Sequence, residues 1–126
     1  MVSEIIRWQT PLAHMRRTAT RDTELAGKRI ARGDKIAMWY VSANRDEDVF
    51  AQPNAFRIER ENARDHLAFG RGVHFCLGAA LARLEAQIAI PALLRRFPKL
   101  DGDTSRLHWH RSIILRGVEA LPVSLR

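Results

Sequence analysis

The sequence predicts an α+β fold in a single domain. Three observations carry that prediction. The chain opens on a short apolar helical segment, continues with strand-like runs cut by turn signals over 14–41, and ends its middle part on a strong helical stripe over 77–97. A length of 126 residues accommodates one core of modest size. Hydrophobic content of 46% against 28% charged is that of a globular chain, not a disordered one.

The elements follow in order. Residues 2–8 read as a helix of barely two turns that Pro11 ends. Between 14 and 41, the runs at Glu24-Leu25-Ala26, Arg29-Ile30-Ala31 and Lys35 to Val41 alternate with turns at Gly27-Lys28 and Gly33-Asp34. Residues 42–75 have little periodicity and hold Asn44, Asp46, Pro53, Asn54, Asn62, Gly70 and Gly72. An irregular stretch of that length in a small domain usually serves function or wraps something. Leu77, Leu81, Leu84 and Ile88 then fall at helical spacing, which predicts an amphipathic helix over 77–97 that Pro91 should kink or strain. Short strands are expected in the tail, around Gly117 and Pro122.

Composition excludes several classes. One Cys rules out a disulfide framework and any zinc site with several Cys ligands. No apolar run approaches the ~20 residues of a membrane helix, and residues 2–7 show no secretory signal. The expected setting is the cytoplasm, without membrane association. The net charge of +7 comes from 18 Arg and 3 Lys against 14 acidic residues. That excess suits either an anionic partner or an Arg-rich solvated surface. A basic nucleic-acid-binding domain is a remote alternative, because no aromatic-interleaved basic stretch, helix-turn-helix or RNA-binding sheet motif is present. His108 and His110 would share one face of a strand, but no Asp, Glu or Cys accompanies them closely, so a metal site is not expected there.

The chemistry concentrates just before the strong helix, in Phe69-Gly70-Arg71-Gly72-Val73-His74-Phe75-Cys76-Leu77-Gly78. A lone Cys is ordinarily a small buried hydrophobe. Cys76, however, precedes a helix N-terminus, where unpaired N–H groups favour a thiolate. Gly70, Gly72 and Gly78 would let a bulky planar group approach the backbone, and Phe69 and Phe75 are placed to shield the sulfur. One thiolate cannot hold an iron–sulfur cluster, whereas haem iron needs only one proximal protein ligand. A dinucleotide loop fits poorly, since its third glycine would fall on Phe75 and no clear strand precedes the turn.

The pattern Phe69, Gly72, His74, Cys76, Gly78 resembles the haem-binding loop of the cytochrome P-450 family, the haem-thiolate monooxygenases. Chance agreement at those five positions is on the order of 10⁻⁵ for a chain of this size. The resemblance implies that Cys76 is the proximal iron ligand and the catalytic residue, and that its thiolate donates electrons that promote O–O cleavage. It implies that Phe69, Gly70, Gly72, His74 and Gly78 bind the cofactor, haem b, with His74 at a haem propionate.

Other segments share the resemblance. Glu4-Ile5-Ile6-Arg7 is similar to the family's Glu-x-x-Arg helix motif, which implies a buried structural pair instead of an exposed ion pair. A second such pair, Glu61 and Arg64, is expected from composition alone. Arg17, in Arg17-Thr18-Ala19-x-x-Asp22, is similar to the family's second propionate-gripping residue, a role its forked guanidinium suits. Ser42 to Asp46 and Val49-Phe50 resemble the family's short helix and the start of its meander. One element departs: Ala55, in Pro53-Asn54-Ala55-Phe56, stands where many members have an Arg that completes a salt-bridge group with Glu4 and Arg7. Arg57 or Arg60 is the candidate substitute.

The resemblance covers the C-terminal third of a family member, so residues 1–126 are expected to form a single partial domain of a mainly helical parent. The parent is expected to be an enzyme that inserts one O atom from O2 into an apolar substrate, with a sterol or terpenoid as a weak indication from the Ser42–Phe50 stretch. Electrons would come from NAD(P)H through a ferredoxin or flavoprotein reductase docking near Arg71 and Arg83. The chain alone is expected to be a fragment without activity of its own. The alternative is a non-catalytic haem-binding or residual module.

Overall fold

The computed structural model describes residues 1–105 and 107–125. Helix α1 spans Val2–Gln9 and stops at Thr10, which turns left-handed at φ 42° just before Pro11. Strands β1 (His14–Thr18) and β4 (Lys35–Trp39) pair antiparallel, with His14 opposite Trp39 and Arg17 opposite Ile36. Between them, β2 (Thr23–Leu25) and β3 (Lys28–Ile30) form a hairpin. Its two turn residues, Ala26 and Gly27, both have positive φ, which matches the right-handed twist of a tight hairpin.

The expected strand through Val41 ends earlier. Tyr40–Ala43 turns into a short helix, α2, and brings Tyr40 inward to 7% exposure. The irregular region holds two 3-10 turns, Glu61–Asp65 and Gly72–His74. Helix α3 runs Ala79–Arg96 as one element with Pro91 inside it, so the proline does not divide it. In the tail, β5 (Leu100–Gly102) pairs with β6 (Val123–Leu125), and Trp109 bridges Val118. The tail is stitched to the start of the fold by Ala13 N–H to Ile114 O at 2.7 Å and Arg116 N–H to Pro11 O at 2.7 Å.

The interior is small and unusually polar. Its buried apolar residues are Tyr40, Phe50, Pro53, Ala63, Ala68 and Ala79, while Glu4, Arg7, Thr10, His14, Asn44, Arg60 and His66 are buried beside them. Charged groups are rarely interior unless paired, and here Arg7 lies over the Phe50 ring at 5.1 Å as well as on Glu4. The leucine stripe of α3 behaves differently from expectation. Leu77, just ahead of the helix, and Leu81, Leu84 and Ile88 on it are all exposed, whereas Ala79 is buried and Ala82 and Ala86 border the cavity described below. The helix is apolar on two faces, the pattern of a helix meant to be covered from two sides. Among the described residues, no helix is long and apolar enough to cross a membrane.

Candidate functional site

The loop ahead of α3 is held by its own backbone. Gly70 and Gly72 take φ of 71° and 73°, a region closed at little cost only to glycine. A side chain at Gly70 would also sit 3.5 Å from the His74 carbonyl and the Tyr40 hydroxyl. The Gly70 N–H donates to Leu67 O at 2.8 Å, and Phe75 N–H to Gly72 O at 3.0 Å. Cys76 is fixed on both sides: its N–H donates to Phe69 O at 2.8 Å, and its carbonyl accepts from Ala79 N–H at 3.2 Å. The main chain that carries the sulfur is thus fixed by backbone bonds.

A cavity of about 630 Å³ opens beside this loop. Cys76, His74, Gly70 and Phe69 line it from the loop, Arg17 and Met15 from β1, Leu12 and Pro11 from the preceding turn, Tyr40 from α2, and Ala82 and Ala86 from α3. The lining therefore brings together Arg17, Phe69, Gly70, His74 and Cys76. Gly72 and Gly78 are not part of the lining, and an added Cβ at either would meet open space. The expected aromatic shield is incomplete. Phe69 and Phe75 meet edge to face at 6.3 Å, but Phe75 is 48% exposed and Cys76 is exposed too. Phe69 is occupied from its other side by Arg83, 5.0 Å above the ring.

Glu4 and Arg7 form a separate, fully buried group. Arg7 Nε and Nη2 grip Oε2 and Oε1 of Glu4 at 2.7 and 2.9 Å, a two-pronged pairing across one helical turn. Arg7 Nη1 donates to the carbonyls of Asn44 and Pro53 at 2.6 and 3.0 Å. The third charged member is Arg60, whose Nε stands 3.1 Å from Glu4 Oε1, while its other nitrogens bind Ala51 O and Gln52 O. Arg57 contributes only its backbone N–H, at 3.0 Å. Burial alone pushes the Glu4 carboxyl up, but the bonds from Arg7, Arg57 and Arg60 outweigh it and hold the group at about 2.

Sequence reasoning missed Asn44, Tyr40, Ala82 and Ala86. The alanines had a signal, since they recur four apart on a helix beside the Cys loop. Asn44 had none beyond its place in a short-helix segment. Among the described residues, no group of three or more His, Cys, Asp or Glu side chains is gathered as a metal site would require.

A single thiol on a backbone-fixed loop thus stands at the edge of an apolar cavity that Arg17 and His74 also line. The cytochrome P-450 family model matches residues 1–113, and the chain belongs to that family. It is 47% identical over 126 residues to the methyl-branched lipid omega-hydroxylase of Mycobacterium tuberculosis, covering 98% of this chain and 28% of that protein. P450BioI, solved in complex with hexadec-9Z-enoic acid ligated acyl carrier protein, superposes with a TM-score of 0.94 at 38% identity, over 99% of this chain and 32% of that one. CYP109E1 of Bacillus megaterium, solved in complex with testosterone, gives a TM-score of 0.91 at 38% identity, over 97% of this chain and 34% of that one. The chain thus spans about a third of the length of the relatives it matches, and its fold is that part of the P-450 fold.

Proposed function

We propose that this chain is the thiolate-bearing part of a haem-thiolate monooxygenase, an oxidoreductase that inserts one oxygen atom from O2 into an apolar organic substrate. The observation that carries it is the convergence of Cys76, His74 and Arg17 on one apolar cavity of about 630 Å³. The donor set fits a haem. Only one thiol is offered to a metal, which suits an iron whose equatorial ligands come with the macrocycle, and the walls are otherwise apolar. When bound, a haem would supply O2 activation, with Cys76 as the thiolate that holds its iron.

The chain's own residues do the holding. Cys76 presents its sulfur from a segment whose amide and carbonyl are both bonded, so the ligand is pre-oriented. Arg17 and His74 offer cationic or hydrogen-bonding groups to the two propionate carboxylates. Gly70, Gly72 and Gly78 keep the loop clear of side chains, and Phe69 lines the cavity with Arg83 over its ring. Glu4, Arg7 and Arg60 tie α1 to the meander that precedes the loop.

The substrate class follows from the apolar lining and from relatives. One relative is named for a methyl-branched lipid and one neighbour holds testosterone, which supports an apolar chain or ring system, sterol or terpenoid included. Electrons from NAD(P)H arrive through a ferredoxin or flavoprotein, with exposed Arg71 and the nearby Arg83 as docking charges. A second reading is favoured by the exposed leucines of α3: the 126-residue chain by itself binds haem weakly, or not at all, and carries out no oxygenation.

The test is spectroscopic. The full-length protein, reduced under CO, is expected to show the thiolate-type Soret band, and Cys76→Ser to abolish it. An unchanged thiolate band in that variant overturns the ligand assignment. Robust NAD(P)H-supported turnover by the isolated chain overturns the second reading.

A further inference from the structure

Asn44 is completely buried where α1, α2 and the segment leading to Cys76 meet. Its backbone and its side chain both make hydrogen bonds. The N–H donates to Tyr40 O at 2.9 Å, and the carbonyl accepts from Arg7 Nη1 at 2.6 Å. Oδ1 accepts from Leu67 N–H at 2.6 Å, while Nδ2 donates to Thr10 Oγ1 at 2.9 Å. Leu67 belongs to no helix or strand, so its N–H has no ladder partner. From Leu67 the chain turns through the Gly70 N–H to Leu67 O bond, and Phe69 O in that turn accepts the Cys76 N–H.

We propose that Asn44 is a positioning residue for Cys76: it pins Leu67, and through the 67–70 turn it sets the carbonyl that fixes the Cys76 amide. The proposal rests on Cys76 being the iron ligand. Asn suits the place because it offers one acceptor and one donor at the same position. The Thr10 hydroxyl gives its proton to Arg7 O at 2.6 Å, so it has none left for an acceptor at position 44. Asn44→Asp would keep an oxygen for Leu67 and lose the bond to Thr10. Through Arg7, the same residue also links the buried Glu4 group to the cysteine loop.

Amide hydrogen exchange of the chain tests the idea without haem. In the wild type, the Leu67 amide is expected to exchange at least about tenfold more slowly than exposed loop amides. Asn44→Ala is expected to raise exchange at Leu67, Gly70 and Cys76 by about tenfold beyond its effect on global stability. Thr10→Val, which breaks the other half of the contact, is expected to lower stability without that local change. Asn44→Asp is expected to retain the protection of Leu67. In the full-length protein under CO, Asn44→Ala is expected to move part of the Soret absorbance off the thiolate band, and Asn44→Asp to restore it. An unprotected Leu67 in the wild type overturns the proposal. So does equal loop exchange in Asn44→Ala and Thr10→Val at matched stability. Should Asn44→Ala not fold, loop amides freed in Asn44→Asp overturn it as well. A thiolate band that survives Cys76→Ser removes the ligand assignment alone, since the exchange rates report the pin independently.

Discussion

Arg60 Nε stands 3.1 Å from Glu4 Oε1, with both side chains almost wholly buried. That same oxygen accepts from Arg7 Nη2 and from the Arg57 N–H. Two guanidiniums therefore share one carboxylate, and the three groups are not equivalent. Glu4→Ala leaves two buried cations facing each other and is expected to cost about 3–5 kcal/mol. Arg60→Ala leaves the two-pronged Arg7–Glu4 pairing in place and is expected to cost about 1–3 kcal/mol. Urea unfolding of the two variants checks the order. Equal losses would mean that removing Arg60 disrupts the group as fully as removing the carboxylate itself.

The acid limb of stability should carry the signature of Glu4. Its carboxyl is held at about 2 in the fold, against an ordinary value of 4.5. The unfolded chain therefore binds the proton first. The stabilisation is fully present above about pH 4.5 and is lost as pH falls from there through about 2. Its size is on the order of 3 kcal/mol. Thermal unfolding across pH 6 to 2 is expected to fall more steeply in the wild type than in Glu4→Gln. Parallel curves would show that the group titrates normally.

His66 should act at higher pH. Burial pushes its imidazole below the usual 6.5, and the charges of Arg83 on α3 and Arg7 on α1 push it further, against its own backbone bond and Asp65. Nδ1 accepts from Ala68 N–H at 3.2 Å, which leaves the proton on Nε2, a buried atom without a partner among the described residues. Protonating Nδ1 would set two donors against each other. Here the folded form resists the proton, so stability is complete above about pH 6.5 and declines as pH falls below it. His66→Gln retains an acceptor for Ala68 and is expected to flatten the curve just below pH 6.5. Chemical denaturation at a series of pH values reads the difference, and no change in slope would remove His66 as its source.

How far the sequence reached depends on the kind of interaction. Cys76, His74, Phe69 and Gly70 were legible because a contiguous loop carries them, and Glu4 with Arg7 because one helical turn brings them together. Arg17 was legible through its resemblance and does reach the same cavity. Arg60 was one of two candidates, and only the folded meander shows that its side chain, not that of Arg57, reaches Glu4. Asn44 was illegible, because its four bonds connect residues 10, 7, 40 and 67, and no local pattern records such separations. Leu77, Leu81, Leu84 and Ile88 were legible as an amphipathic stripe. Spacing identifies an apolar face but not what covers it, and the alanine face turned out to line the cavity.

That stripe leads to the last prediction. Leu77, Leu81, Leu84 and Ile88 are 102%, 59%, 53% and 62% exposed, on a chain that spans about a third of the length of its relatives. Covering each such side chain is worth about 1.5–3 kcal/mol, so an uncovered row favours contact with other apolar surfaces. The isolated chain is expected to bind a hydrophobic dye and to associate as its concentration rises. Leu84→Glu combined with Ile88→Lys should suppress both, because the two positions lie four apart on one face and the new charges attract each other. Neither residue lines the cavity or joins the Glu4 group, and both are exposed, so unfolding of the chain should change little. In the full-length protein the same double substitution is expected to destabilise by several-fold more, since there the face would be covered. Sedimentation of the chain and thermal unfolding of both lengths provide the comparison. A monomeric, dye-free wild-type chain would show that the row is already covered by the chain itself.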